Sequence, residues 1–237
     1  MPLPIIDVPL YTIELPSTGE QIQFRPFLVK EQKILLMAQE NDSVDAKYAA
    51  VKQIITNCTS GKLDPEKLSN LDVQYLFIQI RAKSVGETSD FTIECQNPEC
   101  KTPVKAQINL EGIKVKKTEG HTKKIMLSSK VGVTMKYPSL STERIYVDTN
   151  KKPSEKEYDI IIDCMENVFD ESSVYPVKDT SREEMVKFID GLSTDHYTKI
   201  EKFFETMPKL EETIVYKCPK CGKDGSITVN DFSDFFG

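Results

Sequence analysis

Tryptophan does not occur in this chain of 237 residues, and histidine occurs only twice, at His121 and His196. Neither histidine has a neighbouring Cys or Asp pattern that would make it a metal ligand or a base, so we expect surface or capping roles. The chain also lacks a glycine-rich dinucleotide loop, a Walker loop, and the G-x-S-x-G and H-E-x-x-H motifs. A general acid–base site would therefore need scattered carboxylates, and an enzymatic function has no support in the sequence.

Long apolar runs and an excess of positive charge are absent too. No segment approaches the roughly 18 to 20 apolar residues of a membrane span, and the first residues carry no basic region that would begin a secretory signal. We therefore expect a soluble protein that is intracellular when made. The chain has 31 Lys and Arg residues and 37 Asp and Glu residues. The resulting net charge of −6 argues against sequence-independent binding of DNA or RNA.

Four of the six cysteines form two closely spaced pairs. The first pair is Cys95-Gln-Asn-Pro-Glu-Cys100, and the second is Cys218-Pro-Lys-Cys221-Gly222. Each pair lies between two short segments in which apolar and polar residues alternate, which predicts a β-hairpin with the cysteines in its turn. We expect the two hairpins to meet face to face, with the intervening chain looped out between them. The remaining cysteines, Cys58 and Cys164, are expected to be small buried hydrophobic residues.

Four thiolates from two such pairs suit one Zn²⁺ ion, which prefers a tetrahedron of soft or borderline ligands. Gly222 tolerates the positive φ that follows the second ligand of a cysteine knuckle, and Pro98 favours a turn within the longer first pair. The predicted site is structural, because it leaves no open position for water. Two disulfides, a redox-active pair or unrelated free thiols are the alternatives. The four predicted zinc ligands are Cys95, Cys100, Cys218 and Cys221.

The sequence as a whole predicts an α+β protein with helical bundle segments, short antiparallel hairpins and a discontinuous zinc-ribbon-like four-cysteine site. Residues 1–88 are predicted to form an N-terminal hairpin and a helical segment. Residues 89–112 and 212–230 are the zinc-ribbon-like knuckled hairpins. Residues 113–211 are an inserted β-hairpin and helical region, in which the polar residues 138–153 predict a mobile loop or hinge.

Two capping-box patterns, at Ser154 and Ser181, predict helices in the inserted region. The apolar positions of the first helix are expected to continue as far as Val168. Three carboxylates on that helix are expected to form a solvated face. They are Asp159, Asp163 and Glu166.

The last residues bring three phenylalanines together, Phe232, Phe235 and Phe236. Exposed Phe clusters are costly in a free monomer. Such a tail is therefore expected either to dock onto another chain or to fold back onto the body of the protein.

The order of these features resembles the baseplate hub or hub-assembly proteins of T4-like contractile-tailed bacteriophages. At the N-terminal end the resemblance rests on the segment from Leu15-Pro-Ser-Thr-Gly19 to Phe24-Arg-Pro-Phe27, running into Val29-Lys-Glu-Gln-Lys-Ile34-Leu35. At the other end it rests on Phe203-Phe-Glu-Thr-Met207-Pro208, the Cys-Pro-Lys-Cys-Gly knuckle and Asp234-Phe-Phe236. The likeness spans nearly the whole chain, although residues 111–180 contribute none of its motifs.

The resemblance implies a viral late protein that is a structural subunit or an assembly factor of the central baseplate hub. Its implied partners are other hub and tail proteins, with no small-molecule substrate and no catalytic residues. Its implied location is the host cytoplasm during assembly, with the tail baseplate of the virion as a further location.

Two other functions compete with this one. A zinc-ribbon protein that binds nucleic acid or serves transcription is the main alternative, because lysines surround both knuckles. The acidic total and the lack of interleaved aromatic and basic residues count against it. A hydrolase of cell wall or host polymer would need paired carboxylates, and the sequence shows none at diagnosable positions. The knuckle lysines are Lys101, Lys217, Lys220 and Lys223.

Overall fold

The computed structural model describes residues 6–40, 43–147 and 149–229. The predicted α+β class is confirmed, since helices and small antiparallel sheets alternate through the described chain. The elements in order are β1 (Tyr11–Glu14), β2 (Gln21–Phe24), α1 (Val29–Gln39), α2 (Val44–Cys58), α3 (Asn70–Val85), β3 (Thr88–Glu94), β4 (Pro103–Asn109), β5 (Val115–Lys116), β6 (Lys124–Met126), β7 (Gly132–Met135), α4 (Leu140–Val147), α5 (Pro153–Cys164), β8 (Met165–Phe169), β9 (Val174–Pro176), α6 (Arg182–Asp190), α7 (Thr194–Thr206), β10 (Lys209–Leu210), β11 (Glu212–Lys217) and β12 (Asp224–Val229).

The described residues fall into two compact units. The first consists of the described residues among 6–65, 72–116 and 209–229, and the second of those among 66–71 and 117–208. Whether the predicted segments fold as separate domains stays a prediction. The predicted apolar tail, residues 230–237, lies outside the described residues.

The first unit begins with the predicted N-terminal hairpin, in which β1 and β2 pair antiparallel. Its turn is fastened to α3, because Asp72 accepts hydrogen bonds from the backbone N–H of Ser17 at 2.9 Å and from the Ser17 hydroxyl. Helix α3 begins at Asn70, two residues before Asp72, and the Asp72 carboxylate faces the hairpin.

A buried ion pair joins the hairpin to the first two helices. The Glu31 side chain of α1 is fully buried and lies 3.0 Å from the Arg25 guanidinium. It also accepts hydrogen bonds from the backbone N–H of Leu28 at 2.9 Å and the Asn57 side-chain amide at 3.1 Å. Burial acts to raise the pKa of Glu31, but the hydrogen bonds from Arg25 and Leu28 outweigh burial and lower that pKa. The charged form is therefore the one that the fold accommodates.

The apolar core of the first unit is formed mainly by α2 and α3. Both helices present β-branched side chains that are fully buried, and α3 adds the buried ring of Phe77. The buried Cys58 at the end of α2 confirms its prediction as a small hydrophobic residue. The largest of the fully buried side chains on these helices are Ile54, Ile55, Leu76, Phe77, Ile78 and Ile80.

The second unit contains a four-stranded antiparallel sheet in the order β6-β7-β8-β9. The predicted hairpin of β6 and β7 is present, but β7 is an inner strand because β8 pairs with its other side. The helix predicted after Ser154 was expected to continue as far as Val168, which is wrong. The helix α5 ends at Cys164, and Val168 pairs with Val133 of β7.

Helices α5, α6 and α7 cover a core that the sheet shares. The buried Cys164 confirms its prediction, and Ser181 caps α6 by accepting a hydrogen bond from the backbone N–H of Glu184 at 3.3 Å. Ser154 was expected to cap α5, which is wrong, since Pro153 is already the first helical residue. The buried core side chains are Leu127, Val133, Met135, Ile161, Cys164, Met165, Met185, Ile189, Ile200 and Phe203.

Residues 138–153 were expected to form a mobile loop or hinge, and the expected loop is wrong because they contain the helix α4. Its start is fixed because the backbone N–H of Ser139 donates to the Thr142 hydroxyl oxygen at 2.9 Å, and Leu140 and Thr142 are both buried. The Thr142 hydroxyl in turn donates to the carboxylate of Asp163 on α5. These tertiary contacts order a polar stretch that has little apolar periodicity of its own.

The predicted solvated carboxylate face of α5 is also wrong. Asp159 is buried, and it is paired with the Lys151 ammonium at 2.6 Å and with the Arg182 guanidinium at 2.6 Å. Burial acts to raise the pKa of Asp159, but the hydrogen bonds from Lys151 and Arg182 outweigh it and lower that pKa. Asp163 accepts the Thr142 hydroxyl, and Glu166 lies on β8 instead of a helix.

The expected surface role is wrong for His121, whose ring packs against Phe203 and Tyr137 with centroid distances of 5.1 and 5.7 Å. Its Nδ1 lies 3.0 Å from the hydroxyl oxygen of Thr206. Burial, together with the nearby charge of Lys123, lowers the pKa of His121. His196 lies in the first turn of α7, where its backbone N–H donates to the capping Ser193 hydroxyl at 3.3 Å.

Candidate metal centre

The first cysteine knuckle closes the turn between β3 and β4. The backbone N–H of Cys95 donates to the Thr102 carbonyl at 2.9 Å, and the N–H of Cys100 donates to the Asn97 carbonyl at 2.8 Å. Lys101, directly after the second cysteine, adopts a left-handed backbone with φ of 44°. A left-handed non-glycine residue costs about 1–2 kcal/mol, so the turn holds Lys101 against its own preference.

The second knuckle, between β11 and β12, repeats this arrangement. The backbone N–H of Cys218 donates to the Lys223 carbonyl at 2.9 Å, and the N–H of Gly222 donates to the Cys218 carbonyl at 2.9 Å. Gly222 has a φ of 68°, as its sequence position predicted. The two knuckles therefore match at both ends. In each knuckle, the backbone N–H of the first cysteine donates to the carbonyl of the residue just before the next strand. The residue after the second cysteine has a left-handed backbone conformation.

The structure brings all four predicted cysteines together. Their sulfur atoms lie within 4.8 Å of one another, with Cys95 and Cys221 at 3.7 Å and Cys100 and Cys218 at 3.8 Å. A tetrahedron of sulfurs around Zn²⁺, with Zn–S bonds of about 2.3 Å, has edges of about 3.8 Å. The sulfur cluster therefore has the size that a four-coordinate ion of this kind requires. The distances are also far longer than the bond of about 2.05 Å in a disulfide, and all four cysteines are free thiols.

Two hydrogen bonds join the knuckles without involving sulfur. The backbone N–H of Gln96 donates to the Tyr216 hydroxyl oxygen at 2.9 Å, and the Gln96 side-chain amide donates to the Ser226 carbonyl at 2.8 Å. Tyr216 can reach Gln96 because Gly225 lies opposite it on β12. A Cβ at Gly225 would come within 2.5 Å of the Tyr216 ring. The sequence did not predict these bridging residues. A glycine within the predicted hairpin, opposite a tyrosine, was the available signal.

The four thiols differ in electrostatics. The backbone N–H of Lys223 lowers the pKa of the Cys221 thiol to about 6. A hydrogen bond from the Thr102 hydroxyl lowers the pKa of Cys100 as well. The backbone N–H of Asn97 acts to lower the pKa of Cys95, but burial and the three neighbouring thiols outweigh it and raise that pKa to about 11. Backbone and hydroxyl donors thus favour thiolates, the form that binds metal, on one cysteine of each knuckle.

The four cysteines differ in their exposure to solvent. Cys95 and Cys218, the first cysteine of each knuckle, are buried, whereas Cys221 is exposed and Cys100 is half-buried. Four sulfur donors fill a tetrahedral shell completely, and a closed shell is typical of structural metal sites. The four cysteines could hold a metal ion without leaving a position for a reacting water.

The lysines around the knuckles are all exposed, but they alternate with acidic side chains. Lys101, Lys217, Lys220 and Lys223 share this surface with Glu94, Glu99 and Asp224. A phosphate-binding surface needs an uninterrupted basic area. The knuckles therefore do not favour the alternative of nucleic-acid binding.

A family model described as T4 bacteriophage base plate protein matches residues 8–237. The chain belongs to this family. The resemblance expected from the sequence is thereby confirmed over nearly the entire chain, including residues 111–180, for which the sequence offered no motif. Family membership supports a structural role in a phage tail baseplate, which means a component of the virion tail that contacts other tail proteins.

No curated protein and no solved structure matches the chain. Among the described helices, none is both long and apolar enough to cross a membrane.

Proposed function

We propose that this baseplate protein is a structural or assembly component of the central hub, acting through protein–protein contacts and fastened internally by one structural Zn²⁺ ion. The family match supports the baseplate role. The four-sulfur cluster supports the internal fastening, since its donors and its dimensions suit zinc. The proposal assigns the protein no catalytic step.

The observation that carries the proposal is the sequence separation of the four sulfurs. The close pairs join residues 118 and 126 positions apart, so one ion would close a loop that contains residues 117–208 of the second unit. Cross-linking a loop of about 100 residues reduces the entropy of the unfolded chain by an amount worth about 4.7 kcal/mol in the chain-entropy treatment of disulfides. A metal at this position therefore stabilises the fold instead of serving a reaction.

The metal would also stiffen short hairpins that have little support of their own. Strands β3 and β4 form one two-stranded sheet, and β11 and β12 form another. Isolated two-stranded hairpins are marginal in water. A metal bound by the cysteines in both turns would join the two hairpins into one rigid body. Such rigidity suits a particle that must withstand contraction of the tail.

Co-assembly tests the baseplate role. The protein would be produced with and without the tail-tube and hub proteins of the same phage, and complexes would be isolated by an affinity tag on this chain. We expect a stable complex with at least one hub component, and loss of infectious tails when the gene is deleted. Failure to bind any tail component, together with normal tails after deletion, would overturn the hub proposal.

Immunodetection in purified particles distinguishes a structural subunit from an assembly factor. A structural subunit remains in the finished baseplate at a fixed ratio to other hub proteins. An assembly factor is abundant in incomplete hubs and missing from mature particles. Zinc content is measured on the same preparations, so the metal proposal is tested independently of the baseplate role.

A further inference from the structure

A groove with apolar walls lies between the helices α4, α5 and α7 of the second unit, and its volume is about 580 Å³. Its lining includes Ile160 and Ile161 of α5, Phe204 of α7 and Tyr146 of α4. Ile161 belongs to the core, whereas Ile160 and Phe204 are only partly buried and the Tyr146 side chain is 69% exposed. A concave apolar surface with an accessible aromatic side chain is typical of a binding site.

Carboxylates outnumber cations around this groove. Glu157 of α5 and Glu201 of α7 line it, and both are exposed. In the part of the chain that the structure describes, neither carboxylate forms an ion pair with a lysine or arginine. The one cation of the lining, Lys156, donates to the Tyr146 carbonyl at 2.9 Å. The groove therefore presents two negative charges beside an apolar surface.

The hydroxyl of Tyr197 shows that the two carboxylates lie near one another. It donates a hydrogen bond to the Glu157 carboxylate. Burial, this hydrogen bond and the charges of Glu157 and Glu201 all raise the pKa of Tyr197. Both carboxylates thus lie within electrostatic reach of one hydroxyl group, and a cation bound beside them would interact with both.

A second depression adjoins the groove, and Glu157 lines both of them. Its volume is about 440 Å³, and its apolar lining comes from Tyr158, Ile189 and Leu192. Another carboxylate, Asp190, also lines it and accepts a hydrogen bond from the Tyr158 hydroxyl at 3.0 Å. Neither lysine nor arginine is among the described residues that line this depression. The combination of apolar surface and negative charge therefore continues beyond the groove.

The size and the charge of this surface limit what can cover it. The two depressions can hold a few side chains, whereas a stable interface between globular subunits buries about 800 Å² on each partner. An acidic segment would be repelled by the carboxylates, and a purely apolar segment would leave them without a counter-charge. A short peptide segment that carries apolar side chains next to lysine or arginine complements both features.

We propose that the groove between α4, α5 and α7, together with the adjoining depression, binds a short extended segment of another protein that has this basic and apolar composition. Its apolar side chains would contact Ile160 and Phe204, and its cations would pair with Glu157 and Glu201. This inference goes beyond the hub proposal. Its test uses the full-length protein alone, so a negative result would leave the hub proposal standing.

Methyl NMR with matched synthetic peptides tests the groove directly. The probe is the blocked peptide acetyl-Leu-Lys-Phe-Arg-Leu-amide, and the matched peptide has Glu at both basic positions. We expect the basic peptide to shift the methyl signals of Ile160, Ile161 and Ile189, with those of the buried Ile55 and Ile78 in the first unit as unshifted standards. The acidic peptide should bind at least about tenfold more weakly, because like charges meet in the groove. No shift of the three signals at millimolar basic peptide, or equal binding of both peptides, would overturn the proposal.

Other occupants give different results in the same experiment. The small cation 4-phenylbutylamine has one ring and one charge, so it should bind about tenfold more weakly than the peptide. Equal affinity would assign the groove to a small organic cation and would overturn the peptide proposal. The same would follow if dilution of the protein alone shifted these signals and the peptide did not, because a second copy of the chain would then cover the groove.

Charge variants supply the first control. The double substitution Glu157→Gln and Glu201→Gln should weaken binding of the basic peptide about fivefold, because it removes two exposed ion pairs. Glu166→Gln with Glu183→Gln changes the net charge equally at exposed positions outside both depressions and should leave the affinity unchanged. Raising NaCl from about 0.05 M to about 0.5 M should weaken binding to the parent protein more than to the groove variant. Equal affinities of the two double variants would contradict the proposal.

A tyrosine pair tests the apolar contact. Tyr146→Ser removes the exposed ring at the groove and should weaken binding about fivefold, because an aromatic wall is lost. Tyr175→Ser, at a side chain that is 49% exposed on β9, should leave the affinity unchanged. The unshifted standard signals of each free variant show that it is folded. A Tyr146→Ser protein that binds the basic peptide as tightly as the Tyr175→Ser protein would contradict the assigned site.

Discussion

The hydroxyl oxygen of Tyr216 accepts a hydrogen bond from the backbone N–H of Gln96 at 2.9 Å, although the two residues lie 120 positions apart in the chain. The tyrosine belongs to one knuckled hairpin and the glutamine to the other. The two hairpins are therefore joined by ordinary protein contacts as well as by the sulfur cluster. This contact does not depend on a metal, because neither of its atoms is a cysteine sulfur.

Tyr216→Phe should weaken the junction without disturbing its packing. The phenylalanine keeps the ring, but the N–H of Gln96 loses its acceptor, and an ordinary hydrogen bond contributes about 0.5–1.5 kcal/mol to stability. We expect a loss of this size in the free energy of unfolding, measured with urea. Tyr146→Phe, at a side chain that is 69% exposed, is the matched control and should change stability by less than about 0.5 kcal/mol. Equal effects of the two substitutions would contradict the role given to Tyr216.

Gly225→Ala should destabilise the second hairpin for a steric reason. The new Cβ would lie 2.5 Å from Cζ and 2.6 Å from Oη of Tyr216, so the ring would have to move away from Gln96. Overpacking of this kind costs about 1–3 kcal/mol. Gly112→Ala is the control, because its Cβ would meet its nearest neighbours at an ordinary 3.5 Å. Thermal unfolding of both variants measures the difference, and a Gly225→Ala protein as stable as the Gly112→Ala protein would contradict this account.

The buried Glu31 should make the protein sensitive to acid. Its pKa is lowered in the fold, so the stability it contributes is fully present above its unfolded pKa of about 4.3 and is lost as the pH falls through the lower folded value. The expected result is a decrease in the free energy of unfolding below about pH 4.3 that is smaller in Glu31→Gln. At pH 7 the substitution should itself cost about 3–5 kcal/mol, because it leaves Arg25 without its buried partner.

Urea unfolding from pH 7 to pH 3 measures this dependence, and metal loss in acid affects both proteins alike, so their difference isolates Glu31. Glu20→Gln, at an exposed position, is the control and should follow the parent protein. A parent protein and a Glu31→Gln variant that lose stability in parallel would show that Glu31 does not carry the effect.

Removing the metal should lower the melting temperature of the protein. A ligand that binds only the folded state stabilises it by about 4 kcal/mol when present at a thousand times its dissociation constant. A strong chelator should therefore shift the thermal transition downward, and added Zn²⁺ should restore it. The Cys218→Ser variant should melt at the same lower temperature with and without the chelator. A chelator-independent melting temperature in the parent protein would contradict a structural metal.

The sequence was most informative where structure is decided by a few neighbouring residues. The strands on either side of each cysteine pair, the cap at Ser181 and the left-handed Gly222 depend on local backbone chemistry, and all three agree with the structure. The left-handed Lys101 was missed, because nothing in a lysine indicates positive φ. Only the comparison of the two knuckles in three dimensions reveals that it occupies the position of Gly222.

Elements decided by distant partners were predicted less well. Val168 has a helical spacing to Ile161, but its strand is fixed by pairing with β7, which lies more than 30 residues earlier in the chain. Helix α4 depends on the contact between Thr142 and Asp163, which no local pattern reveals. The packing of His121 could not be predicted from its sequence neighbours. Its aromatic partners are Tyr137, just after β7, and Phe203 of α7. Tertiary contacts overrode local preference in each case.

The metal content of the purified protein tests the central claim most directly. Native mass spectrometry, with elemental analysis of the same sample, should find one Zn²⁺ ion for each chain. Cys95→Ser and Cys218→Ser should each lose that ion, since the two knuckles contribute to one site, whereas Cys58→Ser should keep it. Two ions per chain, no ion at all, or full occupancy after either knuckle substitution would contradict the account.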